Sequence, residues 1–244
     1  MTTPQDLFVP GNATDFFERI PAPFNPNASA YDAANAWWLA ELSRLVYRRP
    51  DDRQRFLDNA GLEQIGEQDE RYLVVCAKDR SWAAIVFRGT NDLRDWGYNL
   101  DCRHVAWSAG TVHEGFKKAF DPLWARIAPL LESIDCPIFC AGHSLGGAVA
   151  TLAASTRPPR ATYTYGSPLV GDAVFAQSCA GKPMFRIVND RDDVPTVPPA
   201  HLGFCHVGEL HTIGENAPHE LIEKLADHAP INYVRLLRAA FGSE

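Results

Sequence analysis

Ser144 lies in the run Gly142-His143-Ser144-Leu145-Gly146-Gly147, after the apolar stretch Pro137-Ile138-Phe139-Cys140-Ala141 and before the helix-forming stretch Ala148-Val149-Ala150-Thr151-Leu152-Ala153-Ala154. Strand, Gly-flanked Ser and helix in that order make a nucleophile elbow, a turn so sharp that its Ser is held in a strained conformation and its neighbours must be small. A serine hydroxyl is a poor nucleophile at neutral pH. A His must take its proton, and a buried carboxylate must hold the imidazole in the right tautomer. In folds built around such an elbow the acid and then the base follow the Ser along the chain. His201, His206, His211, His219 and His228 all lie downstream, whereas His143 adjoins the Ser but is turned away by the elbow and is expected to pack beneath it. The segment Asn189-Asp190-Arg191-Asp192-Asp193-Val194-Pro195 follows an apolar run, which is where an open α/β sheet places its working residues, so the acid is expected among its aspartates. His201, Cys205, His206 and His211 invite a metal reading, but their spacing fits no standard zinc pattern; neither a metal nor a cofactor is expected.

The elements that must position these groups are legible in outline. Residues 1–30, rich in Pro and Asn, form an extended lead-in across the surface, and residues 31–244 form a single domain. From Tyr31 to Tyr47, Ala34, Trp37, Trp38, Leu42, Leu45 and Val46 recur at helical spacing, and Pro50 ends the helix. Two strands, 72–77 and 82–87, are joined by the short connection 78–81. A helical pattern over 115–131 leads to the apolar run before the elbow, and further strands are expected at 162–165 and 185–188. Strands alternating with helices imply a central, mostly parallel sheet covered by helices on both faces.

Composition narrows the partners. The chain has 244 residues, 46% of them hydrophobic, which suits a globular domain with a sizeable core. Its formal net charge is −7 and its Lys and Arg are scattered, which argues against nucleic acid. No apolar run approaches the roughly 20 residues of a transmembrane helix. The start, Met-Thr-Thr-Pro-Gln-Asp, lacks a secretory signal, so a native start implies a cytoplasmic protein and a start left by trimming implies a secreted one. The six cysteines lack the spacing of a disulfide scaffold. Cys136 and Cys140 in one strand would stand roughly 13 Å apart, too far to bond, so buried free thiols are expected.

Several short motifs occur in an order that resembles the fungal-type, or class 3, lipase family of the α/β-hydrolase fold. They are Phe87-Arg88-Gly89-Thr90, Asp95-Trp96 with Asn99-Leu100, Val112-His113-Glu114-Gly115-Phe116, the elbow, Tyr165-Gly166-Ser167-Pro168 with Val170-Gly171, Asp192 with Val194-Pro195, and Asp227-His228. The likeness extends from about Tyr31 to Tyr233. It implies Ser144 as nucleophile, Asp192 as acid and His228 as base, with Thr90 and the backbone N–H of Leu145 as the oxyanion hole. The sequence departs from the family at Asp193, where relatives usually have an apolar residue, and at Thr196, where a basic or His side chain is usual.

Leu93, Trp96, Gly97 and Leu100 recur at i, i+3, i+4 and i+7, giving a short amphipathic helix over about 91–100. In the family this position holds a lid, which makes Leu93, Trp96 and Leu100 candidate substrate-facing residues. The implied function is hydrolysis of carboxylic esters, acylglycerols first, through an acyl-enzyme and at a lipid–water interface. The alternatives are an esterase for soluble short-chain or feruloyl esters and a non-catalytic lipid-binding module. The sequence leaves the oligomeric state open.

Overall fold

Runs of β-branched and aromatic residues build a seven-stranded sheet among the residues that the computed structural model describes, which are 12–90, 102–190, 192–214 and 227–242. In chain order the strands are β1 (Leu62–Gln64), β2 (Tyr72–Ala77), β3 (Ala83–Phe87), β4 (His104–Ala106), β5 (Thr111–His113), β6 (Ile138–His143), β7 (Ala161–Tyr165), β8 (Met184–Asn189) and β9 (Glu209–Ile213). The sheet order is β1-β2-β3-β6-β7-β8-β9, while β4 and β5 pair separately. β2 runs antiparallel to both its neighbours, β1 and β3, and from β3 to β9 every neighbour is parallel. Parallel register gathers the strand ends. Phe87 lies opposite Gly142, His143 opposite Tyr165, and Tyr165 opposite Ile187, so β3, β6, β7 and β8 all end at one edge of the sheet. The loops bearing Thr90, Ser144, Gly166 and Asp192 leave from that edge.

Six helices accompany the sheet: α1 (Ala33–Leu45), α2 (Pro50–Asn59), α3 (Glu114–Glu132), α4 (Leu145–Thr156), α5 (Ala173–Ser178) and α6 (Pro230–Ala239), counted among the described residues. Side chains alternate across each strand. Val75, Val86, Ala141, Tyr163 and Ile187 thus join α1 and α6 on one face. Val74, Ile85, Phe87 and Cys140 join α3 and α4 on the other. In α3 the buried positions Phe116, Phe120, Leu123, Ile127 and Leu131 keep the three-to-four spacing of a one-sided helix. α1 is different, with nearly every residue buried, because the sheet, α6 and the N-terminal segment enclose it. Asp32 caps it, its carboxylate accepting from Asn35 N–H at 3.0 Å.

Two expectations need correction. The described part of the lead-in does more than cross the surface: Phe16 and Phe17 are buried, Phe16 against Phe56 and Phe17 against Trp38, with ring centroids 4.9 and 5.5 Å apart. Each such burial is worth roughly 1.5–3 kcal/mol. Asp15 also pairs with the buried Arg44 at 2.7 Å. Pro50 does not itself end the first helix, which stops at Leu45, but opens α2 at its first turn, where its missing N–H costs nothing. The amphipathic segment 91–100, with Leu93, Trp96 and Leu100, lies outside the described residues.

Candidate active site

β6 delivers Ser144 to the first position before α4, with φ 60° and ψ −130°. Side-chain-bearing residues hold such a conformation only where the surroundings impose it, at a cost of order 1–3 kcal/mol. Here Ser144 N–H donates to the Tyr165 carbonyl on β7 at 2.9 Å, and the Ser144 carbonyl accepts from Gly147 N–H at 2.8 Å. Gly146 is required by close approach: a Cβ there would lie 2.1 Å from the Phe87 carbonyl oxygen. Leu145 is the first residue of α4, and first-turn amides have no acceptor within their own helix. Its N–H therefore sits where partial positive charge gathers.

Asp192 and His228 meet from different parts of the chain, the first just after β8 and the second just before α6. His228 Nδ1 donates to Asp192 Oδ2 at 2.6 Å, and both residues are buried. Asp192 is further held by Val194 N–H on Oδ1 at 2.9 Å and by the Tyr233 hydroxyl on Oδ2 at 2.6 Å. Burial and the neighbouring Asp192 carboxylate both push the Tyr233 phenol well above its usual pKa, so it stays protonated and donates. Gly166, with φ 56°, backs this cluster; a Cβ there would come within 2.5 Å of Asp192 Oδ2 and 3.0 Å of His228 Cε1. With Nδ1 used as donor, His228 Nε2 is left as the basic nitrogen. Neither His228 Nε2 nor Ser144 Oγ, both buried, has a hydrogen-bond partner among the described residues.

His143 links the two halves. Its ring centroid is 4.5 Å from that of His228, and its Nε2 lies 2.7 Å from the His228 carbonyl oxygen. Burial holds its pKa well below the usual histidine value, with the proximity of His228 adding to the effect, so His143 is neutral. The loop after β3 reaches Ser144 as well: a Cβ on Gly89 would lie 3.1 Å from Ser144 Cβ, and half-buried Thr90 follows directly.

The structure therefore brings Ser144, Leu145, Asp192 and His228 to one edge of the sheet, with Thr90 one residue past Gly89. Asp193 is exposed while its neighbour Asp192 is buried. His201 is exposed and His211 stacks on Tyr31 with centroids 3.7 Å apart. Among the described residues no three His, Cys, Asp or Glu side chains are grouped to hold a metal ion. No helix among them is long and apolar enough to cross a membrane. Of the cysteines, Cys76, Cys140 and Cys179 are buried thiols, while Cys136 and Cys205 are only half-buried. Sequence reasoning overlooked Tyr233, which no spacing rule ties to Asp192 across 41 positions.

The family described as Lipase (class 3) matches residues 84–202, just under half of the chain. A lipase of Rhizomucor miehei is 37% identical over 153 residues, covering 55% of this chain and 42% of that protein. The secreted mono- and diacylglycerol lipase 1 of Fusarium solani is 34% identical over 141 residues, covering 52% of this chain and 42% of its own length. The chain thus spans about two fifths of the length of these curated relatives. Among solved structures, a deletion mutant of the Rhizomucor miehei lipase in its propeptide complex superposes with a TM-score of 0.64 at 28% identity. That superposition covers 75% of this chain and 67% of the other.

Proposed function

Through residues 84–202 the chain belongs to the class 3 lipase family and has the α/β-hydrolase fold, and from that premise we propose that it hydrolyses acylglycerol esters with Ser144 as nucleophile, His228 as base and Asp192 as acid. The observation that carries the reading is the buried 2.6 Å contact between His228 Nδ1 and Asp192, with His228 Nε2 and Ser144 Oγ left unpaired nearby. In the reaction Ser144 Oγ attacks the ester carbonyl while His228 Nε2 takes its proton. Asp192 holds the imidazole and stabilises its protonated form. The developing oxyanion is received by the N–H of Leu145 and by the N–H and hydroxyl of Thr90, donors typically worth roughly 3 kcal/mol each. His228 then returns its proton to the leaving alcohol. Water, deprotonated by the same nitrogen, releases the acid from the acyl-enzyme.

The substrate class follows from the relatives, one named as a lipase and another as a mono- and diacylglycerol lipase. The Fusarium protein is also named as secreted, which favours secretion of this chain over the cytoplasmic expectation. A lid role for residues 91–100, which lie outside the described residues, belongs to the same proposal. The test has two parts. An active-site phosphonate should label the folded protein at Ser144, mapped by mass; a folded chain that is not labelled there overturns the hydrolase reading and leaves a lipid-binding module. A substrate series from dissolved short esters through feruloyl esters to emulsified long-chain acylglycerols should show the highest turnover on the emulsion. Highest turnover on dissolved or feruloyl esters would reassign the chain to esterase chemistry.

A further inference from the structure

We infer that His143, backed by Tyr47, is a positioning residue that ties the backbone of His228 to the loop leading into Thr90 through one buried hydrogen-bonded bridge. This rests on the catalytic reading of Ser144, Asp192 and His228. The bridge begins at the base. A carbonyl oxygen can only accept, so the 2.7 Å contact between His143 Nε2 and the His228 carbonyl makes Nε2 the protonated nitrogen. Nδ1 is then an acceptor, and the Tyr47 hydroxyl, 3.0 Å away, is its donor. Both nitrogens of a fully buried imidazole are thus used, and the tautomer is fixed.

The far end of the bridge reaches the oxyanion loop. Gly89 packs directly against the Tyr47 hydroxyl, since a Cβ on Gly89 would stand only 2.3 Å from that oxygen. Any larger residue at 89 would force Tyr47 and the loop apart. Tyr47 follows α1, His143 ends β6 and His228 precedes α6, so contacts spanning 96 and 85 positions of sequence converge here. The segment bearing the base is held from a second side as well, by Asn189 Nδ2 donating to the Asp227 carbonyl at 2.9 Å. Asn189 and His143 therefore grip successive carbonyls, and together they set where the His228 ring emerges.

Neutrality belongs to the device. During turnover His228 carries a proton, and a charged imidazole 4.5 Å away would oppose that state. Burial keeps His143 uncharged, so it can hold the base without repelling the imidazolium. A histidine that merely filled space beneath the elbow would need neither of its two bonds.

The test compares His143→Phe, which keeps bulk but loses both bonds, with His143→Gln, whose amide nitrogen can donate to the His228 carbonyl. Turnover is measured per phosphonate-titrated site on a dissolved ester, and the low-field proton NMR signal of His228 Nδ1–H is recorded for each protein. His143→Phe should lower kcat per site roughly 10- to 100-fold with KM within about twofold, the scale expected when a reacting group is misplaced by about 1 Å. His143→Gln should recover most of that loss. The Nδ1–H signal should shift or broaden in the Phe variant and return towards wild type in the Gln variant. Unchanged kcat per site with an unshifted signal, whatever the melting temperature does, would overturn the inference. If His143→Phe does not fold, Tyr47→Phe, which removes only the outer bond, should still lower kcat per site roughly two- to fivefold; no change there would overturn it too. Wild-type protein that is not labelled at Ser144 but shows the shifted signal in the variants would sink the hydrolase reading and leave the bridge standing.

Discussion

The two halves of the site are built to opposite rules. On the acid side every polar atom of Asp192 is engaged, by His228, Tyr233 and the Val194 amide. On the nucleophile side Ser144 holds a backbone conformation that costs energy, and its hydroxyl, like Nε2 of His228, is buried with no partner among the described residues. Buried polar groups are normally satisfied, because leaving one unmade costs roughly 1–3 kcal/mol. The difference separates groups that orient from groups that react: the first are saturated with bonds, and the second are kept unbonded until substrate arrives.

The sharpest way to break this comparison is to remove the unbonded groups. Ser144→Ala and His228→Ala should each lower turnover by roughly four to six orders of magnitude, and the double variant should be little worse than either single. Because Ser144→Ala removes only an unpaired polar atom, that variant should be no less stable to denaturant than wild type. Near-wild-type turnover in folded Ser144→Ala would remove Ser144 from the chemistry. On the saturated side, Asp192→Asn should cost roughly ten-thousandfold, since the amide favours the wrong imidazole tautomer. Asp193→Asn should cost less than about tenfold, because that residue is exposed while Asp192 is buried. The reverse ranking would transfer the role of acid.

The nucleophile side was the more legible of the two in the sequence, for a physical reason. An elbow is a local object, so its strand, its glycines and its helix are contiguous, and β6 and α4 flank Ser144 as the run of residue types suggests. Strands β2 and β3 were readable because they are apolar runs buried on both faces, and β7 and β8 because β-branched and aromatic residues dominate them. β9 was not, since Glu209, Leu210 and Thr212 are exposed on an edge strand and its His211 suggested a metal instead. α2 was missed because its sequence, PDDRQRFLDN, is polar and opens on a Pro that reads as a terminator. The acid side depends on tertiary approach. Choosing Asp192 and His228 among neighbours needed the family resemblance, and Tyr233, Tyr47 and the bonds of His143 have no local signature at all.

Smaller effects sharpen the contrast. Thr90→Val removes a hydroxyl at nearly constant volume, and kcat should fall on the order of a hundredfold with little change in KM if that hydroxyl stabilises the oxyanion. A raised KM at unchanged kcat would make Thr90 a binding residue. Tyr233→Phe deletes one of three donors to the carboxylate and should lower kcat roughly tenfold, the scale of one hydrogen bond to a charged group. Since the remaining two bonds still hold Asp192, KM should stay constant, and an unchanged kcat would show that the third donor only adds stability.

The smallest expected effect on turnover comes from a histidine that breaks the apparent rule. His206 Nδ1 is also buried and unpaired among the described residues, yet it lies outside the site. Its pKa is lowered from 6.5 to about 4, by burial first and by the nearby Arg186 second, while a bond to the Pro195 carbonyl works the other way. An unpaired nitrogen here should therefore affect stability and leave chemistry alone. Below pH 6.5 the unfolded chain protonates this histidine and the folded protein does not, so the unfolded state binds more protons. The stability it supports is present above pH 6.5 and is lost as the pH falls from there towards about 4, at up to roughly 1.4 kcal/mol per pH unit. His143, depressed in the same direction, adds to the same acid-side loss. His206→Gln keeps an amide donor for the Pro195 carbonyl but cannot titrate. Denaturant unfolding of that variant should show a flatter decline between pH 6.5 and 4 than wild type, with turnover at pH 7.5 within about twofold. A large fall in turnover with an unchanged pH slope would mean that His206 acts through the Val194–Thr196 segment on Asp192, and that unpaired burial marks more of the molecule as functional than the elbow and its base.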